Sequence, residues 1–309
     1  MKGTLYLILT GLFLSTTGIW AKLIGPSISP FLLTIIRTMA AAALILLLIV
    51  LSKNIKTAEN LGIKRKDILP FLLAGFCGVA IGFGFYIKAF SYVPVANAVM
   101  LVYIYPVATA LLSFAFLRER ITRWEIAALL LVLLGVWWIY GSEISLQANA
   151  LGNLLALAAG LGYSVLIVSM RHFEQKKYPY WKAIFWPLLI GGLLLSLFLP
   201  FEYPSLSLSG AVPVYVAGIS LTSFCGYIFY AKGLKTVRAH DAVIITALLE
   251  PLAAILLAVA VLGEALPPYV ALGGALIVLA NILVGREHRK KRLQTAEEKS
   301  GASGFGWVW

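Results

Sequence analysis

Uninterrupted apolar runs of about 20 residues recur along the whole chain, and the stretches between them are short. A helix of that length spans the hydrocarbon core of a bilayer. The runs do not alternate apolar and polar residues, which excludes the strands of a membrane barrel. Lipid offers the backbone no hydrogen bonds, so the runs must be helices that satisfy themselves. Composition agrees: 61% of the 309 residues are hydrophobic, 12% are charged, and mean hydropathy is +0.93. A water-soluble domain carries about 25% charged residues and could not cover so much apolar surface. The pattern predicts an all-α integral membrane protein with ten spans, at 4–22, 31–52, 68–90, 94–116, 124–141, 150–170, 182–200, 211–232, 239–262 and 268–285.

The formal net charge is +12. In a soluble chain it would suggest nucleic acid. Here the cations gather in alternate connections: Lys2; Lys53 to Lys66; Arg118 to Arg123; Arg171 to Lys182; Lys232 to Arg238; and the tail from Arg286. Cytoplasmic connections collect Lys and Arg, so both termini are expected in the cytoplasm, which requires an even number of spans. Lys22, Lys88 and Arg37 are the exceptions. Cys77 and Cys225 lie within apolar runs and read as small core residues. The tail 287–309 is charged, then rich in Gly and Ser, and is expected to be disordered. Its last residues, 301–309, differ in character from everything before them.

The chain repeats itself. Phe85-Tyr86-Ile87-Lys88 returns as Phe229-Tyr230-Ala231-Lys232, and the same offset of 144 pairs Val93 with Val237 and Asn97 with Asp241. After a slip of one residue, Pro106 pairs with Pro251, Leu117 with Leu262 and Glu119 with Glu264. Each half, 1–146 and 147–286, holds five spans. Five is odd, so the second half enters the membrane from the opposite side, and sites in inverted-repeat transporters lie near the midplane.

Two paired signatures carry a family resemblance. Leu249-Glu250-Pro251 through Leu262-Gly263-Glu264 matches an "LEP … LGE" pattern. Tyr105-Pro106 through Leu117-Arg118-Glu119 repeats it with Arg118 where Gly is usual. Over residues 4–285 the chain resembles the drug/metabolite transporter superfamily, EamA-type members most closely. The resemblance implies a ten-helix secondary transporter of a prokaryotic cytoplasmic membrane, working in export. It does not name a substrate. Family members export amino acids, other metabolites or drugs, or exchange nucleotide sugars and phosphate esters.

Ionisable groups inside a span are costly and mark candidate sites. Arg37 lies roughly 10 Å into span 2, too deep to snorkel, and suits a carboxylate or phosphate. Glu250 is the deepest acid. Pro251 frees the carbonyl of residue 247 beside it, which makes Glu250 a coupling candidate for protons, with a bracing role between repeats as the alternative. Lys88 and Lys232 are repeat-related and expected near opposite mouths, each two residues after a tyrosine, Tyr86 and Tyr230. Snorkelling toward an interface explains them equally. Asn97 and Asp241 read first as helix caps, with Asp241 kept as a second coupling candidate. Trp124, Trp137, Trp138 and Trp181 read as interfacial belts. Trp20, Tyr103, Tyr105, Tyr163, Trp186, Tyr227 and Tyr230 lie deeper and want polar partners, so a share of them is expected along a pathway.

These residues favour a secondary transporter of small polar metabolites, such as amino acids or related carboxylates, by alternating access. Export of organic cations or drugs is the alternative, and phosphate-type exchange a further one. No Walker-type loop, GxSxG or HExxH pattern occurs, so neither a nucleotide-driven pump nor a hydrolase is expected. No cofactor, metal or nucleic-acid partner is expected; the partners are the substrate, the bilayer and a coupled proton.

Overall fold

The computed structural model describes residues 2–51, 61–117, 123–141, 147–202, 205–234 and 239–283. We number its helices α1 to α10. They are α1 (Lys2–Ser27), α2 (Pro30–Leu51), α3 (Arg65–Ala89), α4 (Val95–Leu117), α5 (Arg123–Gly141), α6 (Gln147–Gln175), α7 (Tyr180–Phe201), α8 (Val212–Leu234), α9 (Ala239–Leu262) and α10 (Pro268–Leu283). Seven of them are long and apolar enough to cross a membrane, and α5, α9 and α10 contribute shorter apolar helices, Ile126–Trp138, Leu249–Leu262 and Pro268–Leu283. Large apolar side chains face outward along their length, among them Leu47, Val50, Leu69, Leu133, Trp137 and Leu256. Water would oppose such a surface and a bilayer demands it. The chain is an integral membrane protein built from helices.

Irregular stretches interrupt three of the described helices, and α7 ends in a 3-10 turn segment, Ser196–Phe201. The first, α1, is broken at Thr16 into Lys2–Ser15 and Thr17–Ile24. In α3 a widened π-helical stretch, Ala74–Phe83, lies between Ile68–Leu73 and Gly84–Ala89. In α4, Val95–Val102 and Tyr105–Leu117 are separate segments. Pro106 accounts for that last break, because its ring clashes with the carbonyl of Val102 and it brings no N–H. Asn281 of α10 donates its side-chain amide to the freed carbonyl of Tyr103 at 3.0 Å.

Packing follows the small residues. The α3 and α6 helices touch through Gly78, Gly82 and Gly162, and a side chain at Gly162 would collide with the Cys77 carbonyl. One buried cluster joins α1, α3, α4, α9 and α10 around Ile19, Leu101, Ala258 and Ile277. A second joins α2, α3, α6 and α7 around Ala41, Phe71, Phe173 and Leu188. Both clusters draw on the two halves of the chain, so neither half owns a core of its own.

The tail expected to be disordered, 287–309, lies outside the described residues. So do most of the basic loop 52–67 and the Arg118-Glu119 end of the first signature.

Candidate functional site

Arg37, two turns into α2, is 3% exposed. Its guanidinium lies 5.1 Å from the centre of the Phe83 ring at the end of the π stretch. The Tyr227 hydroxyl of α8 is within hydrogen-bonding range of it. Nε and Nη1 have no hydrogen-bond partner. An arginine is always charged, and stranding its donors away from water is expensive unless something arrives to take them.

Glu250 faces Arg37 from α9. Its carboxylate is in hydrogen-bonding range of the Tyr103 hydroxyl and interacts electrostatically with Arg37. Five tyrosines sense its charge: Tyr86 of α3, Tyr103 and Tyr105 of α4, Tyr163 of α6 and Tyr227 of α8. Their rings touch in a chain. Tyr103 and Tyr105 lie 5.4 Å apart, Tyr105 and Tyr163 5.9 Å, Tyr163 and Phe83 5.1 Å, and Phe83 and Tyr227 6.4 Å. Tyr105, Tyr163, Tyr227 and Glu250 keep some exposed surface although they face one another inside the helices. The arrangement is a cation and an acid within one aromatic wall, contributed by both halves of the chain.

Local irregularity builds this wall. The α4 break lets two tyrosines separated by one residue, Tyr103 and Tyr105, turn toward the same centre; in a straight helix they would diverge. The π stretch delivers Phe83, and the following turn Tyr86. Pro251 leaves the Ala247 carbonyl without its helical donor, one turn from Glu250.

Several sequence candidates lie elsewhere or at the border of this group. Lys88 is held by Glu202, Nζ to Oε1 at 2.5 Å, rather than standing free at a mouth. Lys232 lies over the rings of Tyr6 and Phe229, 5.8 Å from each centre. Trp186 packs in the cluster that holds Phe83, Tyr163 and Tyr227, and its indole N–H is turned to the Leu61 carbonyl at 2.8 Å. Tyr230 packs on Tyr180 at 5.5 Å and interacts electrostatically with Tyr105, so it borders the central group. Trp20 rests against Gly218 and lies 6.1 Å from Tyr215, with its Nε1 lacking a partner. Asn97 does not cap α4. That helix starts at Val95 directly after Pro94, which places Asn97 inside the first turn, and the Val95 N–H is taken by Glu264 Oε2 at 2.9 Å. Asp241 falls within α9, and its side chain lies outside the described residues. Of the aromatic belt, Trp124, Trp137 and Trp138 are exposed.

Two polar networks flank the centre, and sequence reasoning missed most of both. At one end Glu202 accepts from the Phe31 N–H at 3.0 Å while pairing Lys88. Next to it the α1–α2 and α7–α8 connections pair as a short antiparallel bridge, with Ser29 N to Ser205 O at 3.0 Å and Ser207 N to Ser27 O at 2.7 Å. At the other end Asp67 accepts from Tyr178 at 2.7 Å and meets His172 at 3.3 Å, and Lys182 donates to the Gly62 carbonyl. Burial and the bond to Asp67 hold the Tyr178 phenol above its ordinary range. Neither acid stands out in the sequence: Asp67 directly follows Lys64, Arg65 and Lys66, and Glu202 lies in a connection, where charge is ordinary.

Comparison with known proteins agrees with this architecture. The EamA-like transporter family matches residues 1–141 and again 150–286. The chain belongs to that family, and with it to the membrane transporters of the drug/metabolite superfamily. It is similar to the uncharacterized transporter YwfM of Bacillus subtilis (strain 168), 27% identical over 312 residues and covering 97% of this chain and 100% of that one. An uncharacterized transporter of Archaeoglobus fulgidus is 28% identical over 233 residues, with 74% and 80% covered. Another from Clostridium kluyveri is 24% identical over 299 residues, covering 94% of each. Among solved structures, one crystal structure superposes with a TM-score of 0.64 at 22% identity, covering 93% of this chain and 98% of its own; that likeness concerns the fold.

Proposed function

We propose that the chain is a secondary transporter that moves small carboxylate-bearing metabolites, amino acids foremost, across a prokaryotic cytoplasmic membrane in the export direction. In this reading all ten helices span the bilayer as two inverted five-helix repeats, with both termini in the cytoplasm. Substrate sits between the repeats and meets each side in turn as they rock. The observation that carries the reading is Arg37, buried at the centre with Nε and Nη1 unpartnered. A guanidinium so placed is a receptor for a carboxylate, and the acid across from it, Glu250, suits an ammonium. The same tyrosines and Glu250 would also receive an organic cation by ring contact, which keeps drug export as the second reading. Arg37 opposes it by repelling such a ligand.

The test is uptake into proteoliposomes of a labelled pool of amino acids and organic acids. Saturable uptake that falls at least tenfold in Arg37→Ala supports the reading. Uptake of a lipophilic cation alone, with nothing taken from the pool, sinks it and promotes drug export.

A further inference from the structure

We propose that Arg37 and Glu250 form a charge-balancing pair that sets how many protons accompany each substrate, according to the substrate's own net charge. The inference rests on the carboxylate reading above. The argument is electrostatic. Among the described residues, Arg37 is the charged side chain that interacts with Glu250. The groups facing Glu250 from neighbouring helices are Arg37 of α2, Tyr86 of α3, Tyr103 and Tyr105 of α4, Tyr163 of α6 and Tyr227 of α8. On its other side, α1 presents Gly11 to Leu249, and α10 carries no charged residue between Pro268 and Leu283.

With the site empty, the positive and negative charges cancel. A zwitterion adds one charge of each sign: its carboxylate takes an open donor of Arg37, its ammonium takes Glu250, and the sum stays zero. A substrate with a carboxylate and no ammonium adds a negative charge alone, next to Glu250. An uncompensated charge in this setting is far more costly than a neutral acid. The balance is restored when Glu250 takes a proton from water on the side then open, forming an O–H bond. Release of substrate on the other side returns that proton to water. One anion therefore travels with one proton, and a zwitterion travels with none. The Tyr103 hydroxyl serves both states, donating to the carboxylate or accepting from the acid.

The experiment uses a matched pair, leucine and 4-methyl-2-oxopentanoate, which differ in the ammonium group, in proteoliposomes of the full-length chain. The proposal expects wild type to accumulate the oxo acid about tenfold per unit of pH gradient, and leucine to ignore the gradient. Glu250→Gln, a permanent neutral acid mimic, loses leucine uptake and loses the gradient dependence of the oxo acid. A second measurement does not rely on the variant folding. Calorimetric titration of solubilised wild type in two buffers of different ionisation enthalpy counts protons, with one taken up on binding the oxo acid and none on binding leucine. Equal gradient dependence for both compounds, or equal proton counts, overturns the pairing while leaving the transporter reading intact. Failure to bind or move either compound removes the carboxylate reading and the pairing with it.

Discussion

Glu202 gathers three separate pieces of chain: its own connection after α7, the amino end of α2 through Phe31 N–H, and the carboxyl end of α3 through Lys88. Breaking a buried pair leaves an uncompensated charge, which costs about 3–5 kcal/mol, and losing a helix cap costs about 1 kcal/mol more. Both variants lose the ion pair, so Glu202→Ala should lower the melting temperature of the detergent-solubilised protein by about 2 °C more than Glu202→Gln, which keeps an acceptor for Phe31. Equal losses would mean that the cap contributes nothing. Asn281→Leu should also destabilise, by about 1–3 kcal/mol, because the Tyr103 carbonyl at the α4 break then has no donor. Arg37 and Glu250 were legible in the sequence because charge inside an apolar run is conspicuous. Glu202, Asp67 and Asn281 were not. Two of them sit in or beside connections where charge is ordinary, and the third is a small amide that becomes meaningful only opposite a broken turn.

At the scale of the element, hydrophobic runs located the helices to within a few residues, since their lengths answer to the bilayer. Their irregularities were harder. Pro106 forewarned of the α4 break, but nothing local distinguishes the π stretch Ala74–Phe83 from ordinary helix. It exists where α3 is pressed between α6 and α7, a relation set by tertiary packing. Glycines make that contact possible. Gly162→Val should abolish a monodisperse folded species on size-exclusion chromatography, because its side chain would occupy the place of the Cys77 carbonyl. Recovery of normal folding would show that α3 and α6 can separate there without penalty.

For the molecule as a whole, the bridge between Ile28 and Leu206 joins the two halves at one end. The bonds flanking it, Ser29 to Ser205 and Ser207 to Ser27, make Ile28 and Leu206 a non-hydrogen-bonded pair, whose Cα atoms typically stand about 4.5 Å apart. That distance accepts a disulfide. Ile28→Cys with Leu206→Cys, in a background with Cys77 and Cys225 replaced by Ala, should cross-link on oxidation, stop substrate uptake and recover on reduction. Full transport through the cross-linked form would mean that this end never opens.

The two related prolines sit in helices that behave differently. From Val99 to Pro106 the chain advances seven residues and α4 breaks between Val102 and Tyr105, whereas from Val243 to Pro251 it advances eight and α9 runs through. A carrier whose halves were interchangeable would rest equally often facing either way, with the same half-saturation from each side. One additional residue in one half removes that equivalence. In the alternating-access reading proposed above, the unloaded protein then has a preferred orientation, so half-saturation and maximal rate each differ between the two faces while their ratio, tied by reversibility, stays the same.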